Sequence, residues 1–286
     1  MKIKLKGEHI FDAINLVALL MLSIVTLYPI YHVLIASFST SGGLLAHSGL
    51  LLTPAGGISF DAYNIILNNR NIWSGYFNTI FIVIIGTFLS LFVSSMAAYP
   101  LSRQGFKARG FFMLMITFTM MFSGGLIPLF LTVRTIGLYD SIWSLILPVL
   151  INTTNLIIIR TAFAQTPISL EESAKIDGAN DIVIYLRIIL PLVKATMAVM
   201  TLYYGVQYWN SWFQASIYLR TRALFPLQLI LREILIFNDN TQSDTEIMAE
   251  SIKYAAIVVS TLPILSVYPF LQKYFVKGVM IGAVKG

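Results

Sequence analysis

The chain has 286 residues, of which 57% are hydrophobic and only 11% charged, with a net charge of +6 and no cysteine. Soluble domains carry about 25% charged residues, so the composition excludes an ordinary soluble fold and predicts a polytopic membrane protein, which the spans taken in order make all-α with six transmembrane helices. Without cysteine there is no disulfide framework, thiol nucleophile or thiolate metal site, and the basic residues are spread over loops rather than gathered into a nucleic-acid patch.

Taken in order, the chain opens with Lys2, Lys4 and Lys6, followed by an apolar run from Ala13 to Phe38. That run is too long for the ~7–15-residue core of a signal peptide, so it is expected to be an uncleaved first span. His32 lies within it beside Tyr31. Three scattered histidines make no metal site, and packing or hydrogen bonding is the expected role. Ser39 to Trp73 is rich in Gly, Ser, Pro and Asn and reads as an external loop. The core of the second span is Tyr76 to Tyr99, followed by a short basic loop with Arg103, Lys107 and Arg109. Gly110 to Val133 is the third span, and Pro128 within Gly124-Gly125-Leu126-Ile127-Pro128 is expected to kink or end it. Asp140 is placed to cap the fourth span, Ser141 to Ile159. Its Asn152, Thr153, Thr154 and Asn155 either hydrogen-bond between helices or line a wet cavity.

The fifth span, Ala195 to Leu219, is crowded with Tyr203, Tyr204, Gln207, Tyr208, Trp209, Asn210 and Trp212. Tyr203 and Tyr204 fall mid-span, beyond an interfacial aromatic belt. Helical spacing puts Tyr204, Gln207, Tyr208 and Trp212 on one side, where they either pack against other helices or offer stacking faces and amides to a passing sugar. After the fifth span, Pro226 is placed to start an amphipathic segment, Leu227 to Phe237, which either lies on the membrane surface or meets an external partner. Tyr254 to Gln272 is the sixth span, and a glycine-spaced tail ends the chain.

An even number of spans puts both termini on one side. On that side would lie Lys2, Lys4, Lys6, Arg103, Lys107, Arg109, Arg160, Lys175, Arg187, Lys194, Lys273, Lys277 and Lys285. On the other would lie Arg70, Arg134, Arg220, Arg222, Arg232 and Lys253. The excess of roughly two to one predicts cytoplasmic termini under the positive-inside rule.

The longest loop on that side, Arg160 to Lys194, is a polar island in a greasy chain. Ser169 followed by Glu172 is a capping-box pattern, predicting a helix over Leu170 to Asp177 that ends at Gly178. A helix this short is marginal alone and needs a surface to dock on. Asn180 can cap a second helix leading to Pro191. The order Glu172-Ser173-Ala174, three residues, Gly178, nine residues, Ile188, one residue, Leu190-Pro191 resembles the EAA loop of ATP-binding-cassette (ABC) importer permeases, with one alanine replaced by Ser173. Ile176-Asp177-Gly178-Ala179 resembles the carbohydrate (MalG-like and LplC-like) branch, as do Gly124-Gly125-Leu126-Ile127-Pro128, Leu156-Ile157-Ile158-Ile159-Arg160, Tyr208-Trp209-Asn210 and the tail Gly282-Ala283-Val284-Lys285-Gly286.

The resemblance implies a type I ABC importer transmembrane domain. Residues 1–75 would hold the cytoplasmic start, first span and external loop. Residues 76–275 would hold five spans and a coupling loop at 166–191, and 276–286 a cytoplasmic tail. It further implies half of a pathway in a bacterial plasma membrane for a sugar or oligosaccharide. The partners would be a second homologous permease, two ATPase subunits and an extracellular substrate-binding lipoprotein. This chain would hold no cofactor, since ATP and Mg would bind the ATPases. Glu171, Glu172, Ser173, Ala174, Asp177, Gly178, Leu190 and Pro191 would couple to the ATPase, with Glu172 pairing a basic residue there and Ala174 kept small for close approach. Gly282, Ala283, Lys285 and Gly286 would enter the ATPase interface. Tyr203, Tyr204, Gln207, Tyr208, Trp209, Asn210 and Trp212 would line the pathway.

The residues themselves offer no rival chemistry. There is no G-x-x-x-x-G-K-[ST] loop, no H-E-x-x-H and no G-x-S-x-G elbow with a plausible triad. The spans are almost free of ionisable groups, which argues against a proton- or sodium-coupled carrier. A membrane-embedded enzyme or receptor subunit is the alternative from another class, and a permease for peptides, amino acids or another solute the alternative within it.

Overall fold

The computed structural model describes residues 6–237 and 250–266, and among these the fold is all-helical apart from one isolated bridge between Ser39 and Ile58. Among the described residues, two helices, Ile10–Ser37 and Arg70–Ser102, are long and apolar enough to cross a membrane. Three bent helix pairs would raise the number of spans to five if each is one span. The expected sixth span is helical over 250–266, and 267–272 lie outside the described residues, as does the tail with Gly282, Ala283, Lys285 and Gly286.

The described residues form two compact units, one of residues 6–70 with 231–237 and 250–262 and one of residues 71–230 with 263–266. In the first, the helix Lys6–Ser37 leads into the stretch read as an external loop. That stretch is ordered by hydrogen bonds rather than by a large core. Thr40 caps the short helix Ser41–Ala46, Tyr28 accepts from the Leu51 backbone at 3.0 Å, and the Ser37 and Tyr63 hydroxyls meet at 2.7 Å. His32 has the expected packing role. Its ring lies between Tyr28 and Tyr254, with centroids 5.9 and 5.6 Å away.

The second unit is built around the helix Arg70–Ser102, which at 1.5 Å per residue is about 50 Å long. Asn78, Ile82, Gly86, Ser90, Ser94 and Ala98 recur every fourth residue along it and all are buried. Mostly small side chains on one ridge let neighbouring helices come close. A Cβ on Gly86 would stand 2.7 Å from the Tyr208 ring, so the aromatic ring packs directly on the backbone of the long helix. Near its start, the Asn78 side chain donates to the carbonyls of Ala223 and Phe225 at 2.8 and 3.1 Å. Thr79 accepts from the Leu227 backbone at 2.9 Å. These bonds hold the helix Leu227–Phe237 with Leu227, Leu229 and Ile230 buried. The start of this helix is therefore packed within the chain, where the sequence suggested a membrane surface or an external partner, while Ile236 farther along is 45% exposed.

The later spans depart from the expected straight rods. The third divides into Arg109–Met121 and Leu126–Thr135, bent by 116°. The break falls at Gly124-Gly125, where Gly125 has φ 85, and not at Pro128. Pro128 sits in the first turn of the second piece, where its missing N–H costs nothing. The fourth span bends by 52° between Trp143–Val149 and Thr153–Ala164. The fifth ends at Trp209, and a separate short helix, Trp212–Tyr218, follows.

Asp140 does not cap the fourth span, whose first helix begins at Trp143 without a side-chain cap. It adopts φ 57 and reaches across to the residues just past the short helix Trp212–Tyr218. Its carboxylate accepts from the backbone of Arg220 and Thr221, each at 2.8 Å, and from the Thr221 hydroxyl at 2.7 Å. The Thr221 backbone bond, then its hydroxyl and the Arg220 backbone, hold the Asp140 pKa below the usual carboxylate value. A depressed folded-state pKa means stability present above the unfolded pKa and lost as pH falls through the folded one. Asp140→Asn, which tolerates φ 57, should therefore melt earlier than wild type in detergent at neutral pH. The two curves should converge on acidification below the wild-type carboxyl's pKa; a gap that persists there would contradict the tie.

Candidate functional site: an anchored loop helix and a broken span

The polar loop begins where the helix Thr153–Ala164 ends at Gln165. Pro167 supplies the N-cap position of the helix Ile168–Ile176, with φ −61 and ψ 127. The helix thus starts two residues before the expected Leu170, and the capping box of Ser169 and Glu172 does not form. Pro167 fixes its own φ and takes the N-cap position, which puts Ser169 inside the first turn. The end is as the glycine implied. Gly178 has φ 80, its N–H bonds the Lys175 carbonyl at 3.0 Å, and Ala179 N–H bonds Ala174 at 2.9 Å. This pair of bonds is a Schellman closure. Asn180 then caps the next helix, accepting from Val183 N–H at 2.9 Å.

That next helix widens to a π-helical turn over Ile184–Ile189 just before Pro191. Proline has no N–H to close an α-turn onto Arg187 and its ring crowds that carbonyl, so a wider turn relieves both. At Val193 the chain bends by 83° into Lys194–Trp209. Leu190 is half-buried and Pro191 exposed.

Two of the expected coupling residues face inward. Glu171 and Ala174 are buried at 8% and 7% exposure, three residues apart on one side of the loop helix. Ala174 belongs to one buried cluster with Leu101, Phe163 and Ile184; its small size lets the helix settle on the chain's own core, and it is not at the outer surface. Glu172, Ser173, Ile176, Asp177 and Gly178 are exposed. Ile176 stands 87% exposed and Ile182 69% exposed, apolar side chains presented by a polar loop.

Glu171 forms an ion pair with Arg103, just past the long helix. The same guanidinium donates to the Phe163 carbonyl at 2.7 Å and to Thr166 Oγ1 at 3.0 Å, and lies 5.0 Å from the centre of the Tyr99 ring. Arg160 Nε donates to the Leu101 carbonyl at 3.2 Å. Arg103 thus ties the loop helix, the end of the fourth span and the end of the second into one cluster. Sequence reading had placed it only in a short basic loop. Its position directly after a span and the double Glu171-Glu172 were the available signals.

The proposed pathway aromatics do not act together. Tyr204 and Tyr208 are 0% and 1% exposed, whereas Tyr203 is 53% exposed. Tyr204 Oη meets Ser94 Oγ at 2.7 Å and accepts from the Asn152 backbone at 3.3 Å. Tyr208 Oη meets Ser90 Oγ at 2.8 Å and donates to the Ile146 carbonyl at 3.4 Å. Both are packing residues bonded to the long helix and to the broken fourth span. Trp209 is buried, Trp212 half-buried and Asn210 exposed. Gln207 Nε2 donates to the Val149 carbonyl and its Oε1 accepts from Asn152 Nδ2, both at 3.3 Å. Asn152 also caps the helix Thr153–Ala164 through Asn155 N–H. Asn152 thus makes the interhelical bonds that were one of its two expected roles.

Arg103→Met would leave Glu171 buried without its partner, a loss of about 3–5 kcal/mol when one member of a buried pair is removed. It should sharply lower the thermal midpoint of the purified protein. The reversed pair Arg103→Glu with Glu171→Arg should recover part of the loss, and no difference between single and double variants would contradict the pairing.

A family model described as "Binding-protein-dependent transport system inner membrane component" matches residues 90–281. The chain is 43% identical over 286 residues to the polygalacturonan/rhamnogalacturonan transport system permease protein YtcP of Bacillus subtilis, covering 98% of this chain and 99% of that one. It is 40% identical to protein LplC of the same organism over 98% of this chain and 97% of that one. Among solved structures, a chain of a bacterial ABC transporter involved in the import of the acidic polysaccharide alginate matches with a TM-score of 0.88 and 32% identity, over 96% of this chain and 100% of that one.

Proposed function

This chain belongs to the family of binding-protein-dependent transport system inner membrane components, and from that membership we propose that it is the permease subunit of an ATP-driven importer of oligosaccharides. The relatives are permeases named for polygalacturonan/rhamnogalacturonan and arabinooligosaccharides, and the solved structure concerns alginate; these favour a carbohydrate over peptides or amino acids. The subunit is a transport component and not an enzyme. A second permease completes the pathway, an extracellular binding protein delivers the substrate, and two ATPase subunits on the cytoplasmic side hold ATP and Mg.

The observation that carries this reading is the two-sided loop helix. One side is fixed to the spans by Glu171 and Ala174, while Ile176 and Glu172 stand free on the other. Ile176, 87% exposed, and Ile182, 69% exposed, give an otherwise polar loop the apolar side chains that a partner would cover. In the proposed cycle Ile176 seats in an apolar slot of an ATPase subunit, and Glu172 pairs with a basic residue at its rim. Closure of the ATPases on ATP pushes the loop helix. Because Arg103 joins that helix to the second and fourth spans, the push reaches the membrane as a rigid displacement. Gly178 supplies the left-handed turn that lets the chain double back beside the docking surface. The tail with Gly282, Ala283, Lys285 and Gly286 is assigned to the same ATPase interface.

The test is the four-part complex in proteoliposomes, with Ile176→Asp and Glu172→Lys in this chain. Both positions are exposed, so folding should be unaffected. Substrate-stimulated ATP hydrolysis and uptake should fall at least about tenfold, the effect of losing about 1.4 kcal/mol of docking energy. Full stimulation in both variants would contradict the docking role.

A further inference from the structure

The first span holds more apolar helix than a bilayer needs. From Ala13, the residue after the charged Asp12, to Ser37 the helix rises about 36 Å, against a hydrocarbon core of about 30 Å. Tyr28 and Tyr31 stand about 22 and 27 Å along it, near the far edge of that core. Tyrosine rings settle at this level, with an apolar body in lipid and a hydroxyl at the headgroups.

The chain beyond Ser37 does not rise away into water. It forms the short helix Ser41–Ala46 and then returns beside the span. Leu51 N–H donates to the Tyr28 hydroxyl at 3.0 Å, and the Tyr31 hydroxyl donates to the Leu52 carbonyl at 2.6 Å. Leu51 is thus tied to a residue about 13 Å short of the helix end. The chain then climbs back to that end. Ala55 N–H donates to Ser39 Oγ at 3.0 Å, Thr40 N–H to the Ala55 carbonyl at 3.1 Å, and Ser59 N–H to the Phe38 carbonyl at 2.8 Å. These bonds occupy backbone groups that lipid could not satisfy.

The side chains agree with this depth. Leu50 and Leu52 are 68% and 62% exposed, flanking the buried Leu51, and Ile58 is exposed as well. They extend the exposed apolar surface of the span itself, where Leu27 and Ile30 also lie open. No Asp, Glu, Lys or Arg occurs between Asp12 and Asp61. His32 and His47 are the only side chains there that could gain a charge near neutral pH.

We propose that residues 47–58 form an interfacial anchor, lying in the headgroup–acyl boundary of the leaflet at the C-terminal end of the first span, with Leu50 and Leu52 in lipid. The surface that covers these leucines is the bilayer. A loop built to meet a soluble protein through polar contacts would carry charge, and this one carries none. Tyr28 and Tyr31 set its depth through Leu51 and Leu52, and the anchor holds an over-long span at one height. The proposal needs only that the first helix crosses the membrane, and it adds a lipid contact to the transport role.

The absence of cysteine allows single labels. Leu50→Cys, Leu52→Cys and the mid-span Leu22→Cys, all at exposed positions, would carry a nitrobenzoxadiazole fluorophore in the assembled complex in phosphatidylcholine–phosphatidylglycerol nanodiscs. Quenchers are aqueous iodide and doxyl-labelled lipids with the doxyl group near the headgroup or near the chain end. Labels at Leu50 and Leu52 should lose emission mainly to the shallow lipid quencher and be largely spared by iodide, and the Leu22 label should respond mainly to the deep one. Iodide quenching at Leu50 and Leu52 as strong as for the free label in buffer would overturn the anchor. Protection from iodide and from both lipid quenchers would also overturn it, by placing protein on the loop. A Leu22 label that neither lipid quencher reaches would instead overturn the reading of the first helix as a span.

Discussion

Three hydroxyl pairs hold the second unit of this protein together. Ser90 with Tyr208, Ser94 with Tyr204 and Ser95 with Tyr185 meet at 2.7–2.8 Å, all buried. Helices in lipid gain little from apolar contact with one another, because lipid tails are as apolar as leucine. Association then depends on close packing and on polar groups that cannot find water. Each such bond contributes about 0.6 kcal/mol on average, so three are modest as energy. Their value lies in register. A tyrosine that must reach one serine fixes both the rotation and the height of its helix, and a shift of one turn would leave both hydroxyls in hydrocarbon.

This constraint explains why the long helix can link distant parts of the unit. Tyr185 comes from the helical stretch after the polar loop, while Tyr204 and Tyr208 come from the helix beyond the 83° bend. The tyrosines also bond the broken fourth span, so one ridge of small residues positions three other elements. Just beyond the same helix, Arg103 holds Glu171 of the loop helix. The loop is thereby tied to the ladder through a continuous set of hydrogen bonds and packed side chains. Ile176 stands on the helix that Glu171 and Ala174 fix to this set of contacts. The break at residues 150–152 belongs to that body, because Gln207 and Tyr204 bridge it directly.

Much of this was legible in the residues. The low charge and the long apolar runs gave the helical membrane class, and Gly178, Asn180 and their spacing gave the shape of the polar loop. What escaped was tertiary. Hydropathy averages over a window and cannot see that Gly124-Gly125 ends a helix that Pro128 leaves intact. It cannot see that Asn152 caps a new helix in the middle of an apolar run. Tyr204 and Tyr208 were placed on the right face, but composition cannot tell a sugar-stacking ring from one that hydrogen-bonds a serine about 110 residues earlier. The fourfold spacing of Gly86, Ser90, Ser94 and Ala98 was present in the sequence and would have shown which reading applied. The capping box failed because Pro167, two residues upstream, already held the N-cap position.

The claim on which the account turns is that the loop helix and the long helix move as one body. The chain contains no cysteine, so two can be introduced for spin labels without background. Ser169 on the loop helix and Gln104 just past the long helix are both exposed. The distance between labels at these positions, measured by electron–electron double resonance in the assembled complex, should keep the same mean with and without ATP. A change of several ångströms on ATP binding would show the loop swinging free of the helix, and would contradict the account.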